Sequence, residues 1–211
     1  MEKTIDKISN TIDENEKLIA NILHDIKSPL FSIKLALEKK LDTQLNVDIF
    51  ETVVDVLEYI ENFLVDYSFK IGKFKNKTVL IDIKNLITQK IENYKYIFIN
   101  KNIHIDIIQE ENEDFKISQI GIFLSSIIGN IISNIAFHAS KNSNAQIIIK
   151  HKLCGIYLEF KNAYDIQENN FNLGLDFCKK LMCKTQTKMS FSKTKDNVIV
   201  KLNIPDLRKG K

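Results

Sequence analysis

The chain has 211 residues, of which 44% are apolar and 27% charged. This is the composition of a globular protein of one or two domains, and it excludes a disordered or fibrous chain. Thirty basic residues against 27 acidic ones leave a net charge of +3, and Arg208 is the only arginine, so the clustered Arg/Lys surface that nucleic-acid recognition uses is missing and no direct nucleic-acid partner is expected.

Up to Leu41 there is one proline and no glycine. Ile5, Ile8, Ile12, Ile19, Ile22, Ile26, Leu30, Ile33 and Leu37 recur almost entirely in steps of three and four, a heptad-like stripe on a long helix. Phe50, Val53, Leu57, Ile60, Leu64, Tyr67 and Ile71 repeat the pattern after a short polar link around 42–46. Two long helices with a short link form an antiparallel hairpin. One hairpin cannot bury two full apolar stripes, whereas two hairpins can, so the spacing predicts a homodimeric four-helix bundle over residues 1–72.

Residues 73–78 are polar and Lys-rich, a natural linker. Beyond them, over 79–211, the period changes. Val79–Ile83 reads as a strand, Ile83–Asn100 as helical, Ile103–Ile108 as a half-buried strand and Lys116–His138 as one long apolar helix. Gln146–His151 with Ile156–Lys161, and Lys188–Ser192 with Val198–Ile204, read as hairpins on either side of a helix at Leu173–Cys183. The fold class is therefore α+β: a helical hairpin followed by an α/β sandwich with helices on one sheet face. Cys154, Cys178 and Cys183 show no metal-ligand spacing, and their odd number argues against a disulfide framework. They are expected to be reduced and mostly buried, with no metal site. The N-terminal residues lack an apolar signal region, and no run of ~18 apolar residues occurs, so the chain is expected to be cytoplasmic, with no membrane partner.

The chemistry concentrates in Leu23-His24-Asp25-Ile26-Lys27-Ser28-Pro29-Leu30. His24 is two residues from both Ile22 and Ile26, about 200° around the helix from each. Its ring is therefore expected to face solvent, as a phosphate acceptor or proton handler would. Asp25 is placed to hold or polarise the imidazole, and Ser28 follows one turn later. Asn21, Lys27 and Phe31 are taken to complete a partner-binding face. Pro29 removes a backbone donor and is expected to bend the helix beside this site.

His-Asp-Ile-Lys-Ser-Pro-Leu closely resembles the phospho-acceptor box of bacterial sensor histidine kinases. The hairpin is similar to their dimerisation and phosphotransfer domain, and the second part to their ATP-binding domain. Gly129-Asn130-Ile131-Ile132-Ser133-Asn134-Ile135-Ala136 resembles the N-box, whose asparagines help hold Mg²⁺ and phosphates. Val198–Pro205 is similar to the last strand. The family's Asp-x-Gly-x-Gly turn is represented by Asn162-Ala163-Tyr164, with Asn162 at the Asp place and no glycine following. The second glycine box, Asn170-Phe171-Asn172-Leu173-Gly174-Leu175, keeps only Gly174. Glycine there lets the backbone approach the nucleotide, so these departures argue against tight ATP binding and against autophosphorylation of His24. Asn130 and Asn134 then read equally well as Mg²⁺ ligands or as polar residues of a packed helix.

The resemblance implies a response regulator receiver domain as partner. Three readings follow. The favoured one is a phosphatase of the regulator's aspartyl phosphate: His24, Asp25 and Ser28 align a water, Mg²⁺ is supplied by the regulator and no cofactor by this chain. The alternative is a relay, or weak autokinase, through His24. The third is a module that sequesters the regulator without turnover.

Overall fold

The computed structural model describes residues 2–40, 44–70, 78–109, 114–164 and 175–208. They fall into two compact units, Met1–Lys75 and Asn76–Lys211.

The first unit is a hairpin of α1 (Glu2–Glu38) and α2 (Gln44–Lys70). The Asn46 amide donates to the Lys40 carbonyl at 2.6 Å, tying the connection to the start of α2. α2 buries Val47, Phe50, Val53, Val54, Leu57, Ile60 and Val65, residues that share one helix face. α1 answers with Ala20, which is buried, and with the half-buried Leu23, Lys27, Leu30 and Lys34. The heptad isoleucines take no part in this contact. Ile19, Ile22, Ile26 and Ile33 remain 42–48% exposed, because they lie roughly 100° away from Ala20 and Lys27 around the helix. The side chains of Ile5, Ile8 and Ile12 lie outside those described, as does Ile71.

The second unit begins with β1 (Val79–Asp82), whose Asp82 caps α3 (Ile83–Asn93) by accepting from the Asn85 amide at 2.9 Å. The predicted single helix over 83–100 breaks at Tyr94. This residue is buried, with its ring edge-on to Phe137 at 6.2 Å, and α4 (Lys95–Asn100) follows. β2 (His104–Gln109) comes next. The long helix read from Lys116 is corrected: Lys116–Gln119 is a strand, β3, antiparallel to β1, and α5 spans only Gly121–His138. Gln119 enforces the change. Its side chain is fully buried, donates to the carbonyls of Thr185 and Pro205, and accepts from the Ile120 amide. These bonds fix the end of β3 against the ends of α6 and β7. β4 (Asn144–Lys152), β5 (Gly155–Ala163), α6 (Leu175–Thr185), β6 (Lys188–Lys193) and β7 (Asn197–Pro205) complete the unit.

The main sheet has the order β2-β4-β5-β7-β6, with β2 parallel to β4 and the other pairs antiparallel. Alternation decides its faces. Ala145, Ile147 and Ile149 of β4, Ile156, Leu158 and Phe160 of β5, and Val198, Val200, Leu202 and Ile204 of β7 are buried. α5 lies over β5 and β7, with Ile131 and Ile135 close to Phe160, Val198 and Val200. Each fully buried Ile or Phe in this layer contributes about 1.5–3 kcal/mol. Among the described residues α5 alone is long and apolar enough to cross a membrane, and 61% of it is buried inside this unit, as a core helix apolar all round should be. The other sheet face presents Lys150, Lys152, Lys161, Lys188 and Lys201. The expectation of mostly buried cysteines holds for Cys178 alone: Cys154 sits exposed in the β4–β5 turn and Cys183 on the outer side of α6.

Candidate functional site

His24 lies mid-helix on α1 with 80% of its side chain exposed, and Asp25 is 85% exposed. Their nearest approach, His24 Nδ1 to Asp25 Oδ1, is 3.9 Å, beyond hydrogen-bonding distance. In this geometry Asp25 supplies a nearby negative charge without fixing the ring. Ser28 is exposed one turn on, and its carbonyl accepts from the Ser32 hydroxyl at 3.2 Å. Pro29 has no N–H for the carbonyl of Asp25, four residues back, yet α1 continues through it. Asn21 is also exposed. Helical phase sets Asn21, His24, Ser28, Phe31 and Leu35 within about 80° of one another. Phe31 and Leu35 are 48% and 44% exposed, so an apolar strip lies on the same helix face as the imidazole and hydroxyl. Leu35 escaped the sequence reading, although its place four residues after Phe31 carried the signal. Lys27 is placed elsewhere: its ammonium meets Glu61 of α2 at 2.7 Å, turned toward the hairpin contact.

In the second unit Asn134 and Asn162 do come together. With Ile131, Phe160, Phe191 and Val200 they line a cavity of about 20 Å³. That is room for roughly one water, whereas ligand pockets run to several hundred Å³. Asn162 is buried and its amide donates to the Ala163 carbonyl at 3.0 Å. Asn130 is buried on α5, donating to the Ser126 carbonyl at 2.8 Å. Tyr164 is buried where the family pattern has its first glycine. It bridges to Ala139, and the Lys193 ammonium lies 4.1 Å from its ring centre. Phe191 and Lys193 were missed in the sequence because only strand pairing brings β6, across β7, near the end of β5. Gly174 lies outside the described residues. Among those described, no group of three or more His, Cys, Asp or Glu could hold a metal ion.

No family model matches the chain. It is 24% identical over 229 aligned positions to the sensor protein KdpD of Clostridium acetobutylicum, a match that covers 91% of this chain and 25% of that protein. The chain thus spans about a quarter of the length of this relative. Among solved structures it is similar to the histidine kinase AdeS of Acinetobacter baumannii, with a TM-score of 0.60 and 11% identity over 87% of this chain and 98% of that one. It is also similar to the histidine kinase ThkA in a complex with the response regulator protein TrrA, with a TM-score of 0.57 and 15% identity over 92% of this chain and 63% of that one. The chain is sensor-histidine-kinase-like. The structural likenesses, at such low identity, are likenesses of fold. They extend over both units of the kinase-like chain, hairpin and sandwich alike.

In chemical terms this kinase-like chain offers an accessible imidazole and an accessible hydroxyl on a rigid helix. Both are free to meet a second protein without rearrangement of the hairpin. The arrangement suits attack on, or water alignment at, a phosphoryl group presented from outside.

Proposed function

We propose that this chain is a two-component signalling protein that hydrolyses the aspartyl phosphate of a partner response regulator. One observation carries the reading: His24 and Ser28 stand exposed on one face of α1, while the Asn134–Asn162 cavity has space for about a single water. The reacting phosphoryl group arrives on the partner, whose receiver domain also brings Mg²⁺. The Ser28 hydroxyl holds the attacking water in line, and His24 accepts or relays its proton. Asn21, Phe31 and Leu35 seat the partner. No step uses a nucleotide or a cofactor bound to this chain. The ThkA–TrrA complex supports a regulator as the kind of partner. The protein acts in the cytoplasm, where regulators reside, as a homodimer whose four-helix bundle covers the exposed isoleucines of α1 and Leu45, Ile49 and Val56 of α2, which are 40–67% exposed.

A second reading is favoured by the exposure of His24 in particular. An imidazole 80% accessible is also a competent phosphate carrier between two regulators. The two readings separate on single substitutions. The regulator, phosphorylated on its aspartate, is mixed with the chain and its phosphate lifetime followed. Hydrolysis predicts that Ser28→Ala slows turnover on the order of 100-fold, the scale of a misplaced reacting group, while His24→Ala leaves residual activity. A relay predicts label on His24, loss of transfer in His24→Ala and near-normal transfer in Ser28→Ala. A stoichiometric effect, unchanged by either substitution, would refute both and leave sequestration. Incubation with labelled ATP is expected to leave His24 unlabelled, and labelling would overturn the nucleotide-free mechanism.

A further inference from the structure

A second pocket, far roomier than the Asn134–Asn162 cavity, is lined by described residues. It lies at the opposite end of the sheet, beside the β4–β5 turn, with a volume of about 630 Å³, in the range of small-molecule sites. Strand register assembles it. Lys150, Tyr157, Asn203 and Lys188 stand in one row across β4, β5, β7 and β6. Lys152 reaches into this row, donating to Asn203 Oδ1 at 2.9 Å with its ammonium 4.8 Å from the Tyr157 ring centre. Lys152 thus bonds a neutral amide whose strand-register partner is Lys188, and no carboxylate is among the pocket's described lining residues. Glu159, one row away, is engaged by Tyr157 and Lys201. On the lysine side the apolar wall comes from Pro205 and from Leu153, which is left 96% exposed at the rim. Gly155 underlies the turn at φ +156°, where an added Cβ would lie 2.0 Å from the Ile204 carbonyl oxygen, so the close approach of β5 to β7 here requires glycine.

We infer that this pocket binds an amphipathic organic anion, its carboxylate between Lys152 and Lys188 and its apolar body against Leu153 and Pro205. Two ammonium groups gathered without an acid repel each other, and a bound anion relieves that repulsion. An apolar wall beside them selects a ligand that also has surface to bury. The site is independent of the His24 chemistry and gives the second unit a ligand other than a nucleotide.

Cys154 lines the pocket and Cys183 does not, and both are exposed. Alkylation of the full chain by iodoacetamide, read peptide by peptide by mass spectrometry, therefore localises binding. The probe is decanoate below its aggregation threshold, with decanol and anionic phosphatidylglycerol vesicles as comparisons. At about ten times its Kd, decanoate should slow Cys154 alkylation about tenfold, as single-site occupancy requires, and leave Cys183 unchanged. Lys152→Met with Lys188→Met should abolish the protection. Lys188→Met alone, at an exposed position, should remove part of it with the circular dichroism spectrum unaltered. No protection, equal protection by decanol, protection by vesicles alone, parallel protection of Cys183, or full protection in the double variant would each overturn the proposal.

Discussion

His24 and Ser28 owe their exposure to a phase difference within one helix, and single side chains elsewhere are equally decisive. Asp206 is buried. It accepts from the Arg208 side chain and from the backbone amides of Ser118 and Arg208. The Arg208 hydrogen bond, opposed by burial and aided by the two amides, holds the Asp206 carboxyl well below the usual carboxylate range. A depressed carboxylate stabilises the fold above its unfolded-state pKa, and that contribution is lost as pH falls toward its folded value. Asp206→Asn should therefore cost about 1–3 kcal/mol at neutral pH, and its deficit relative to the native chain should shrink as unfolding is repeated at progressively more acidic pH, below about 4. Denaturant titrations at several pH values check this. Tyr157 behaves in the opposite sense: burial first, then the Glu159 carboxylate beside it, pushes its phenol up to about 12, so an absorbance titration should contain a phenol step near pH 12 that Tyr157→Phe removes.

At the scale of elements, the β4–β5 turn and the helical hairpin make separate predictions. Gly155→Ala forces a Cβ onto the Ile204 carbonyl at 2.0 Å and should destabilise the sheet by at least about 2 kcal/mol, through strain at a backbone geometry side chains rarely adopt. Chemical denaturation would show it as a lowered midpoint. The Lys27–Glu61 pair joins α1 to α2 at 2.7 Å with both side chains partly exposed. Glu61→Gln should cost less than about 1 kcal/mol, a difference that high salt removes, because exposed ion pairs are weak and screened. The same scale shows where local pattern misled. Ile117 within Lys116–Gln119 extends the period of α5, but pairing with β1 and the buried bonds of Gln119 outweigh helical propensity.

For the molecule as a whole, the apolar surface left on the hairpin is the main unfinished feature. Ile22 and Ile26 are 48% and 42% exposed in the single chain, more than scattered surface residues explain when they recur on one stripe. The native chain is expected to sediment as a dimer and Ile22→Asp with Ile26→Asp as a monomer of unchanged helix content; sedimentation equilibrium decides. The helical hairpin, the mixed second unit and the His24 box were legible from the sequence alone, because each rests on local order: a period of 3.5–3.6 residues, a period of two, and a contiguous motif. The pairing of α1 with α2 through Ala20 and Lys27, the closure around Asn162 by Phe191, and the lysine pocket around Asn203 were not. Each brings together residues from different elements, and only strand register and helix packing specify which of many equally apolar or charged side chains meet. Periodicity thus settled what most segments are and which way His24 faces; tertiary contact settled where β3 and α4 begin, what fills the second unit and which of its surfaces remain open.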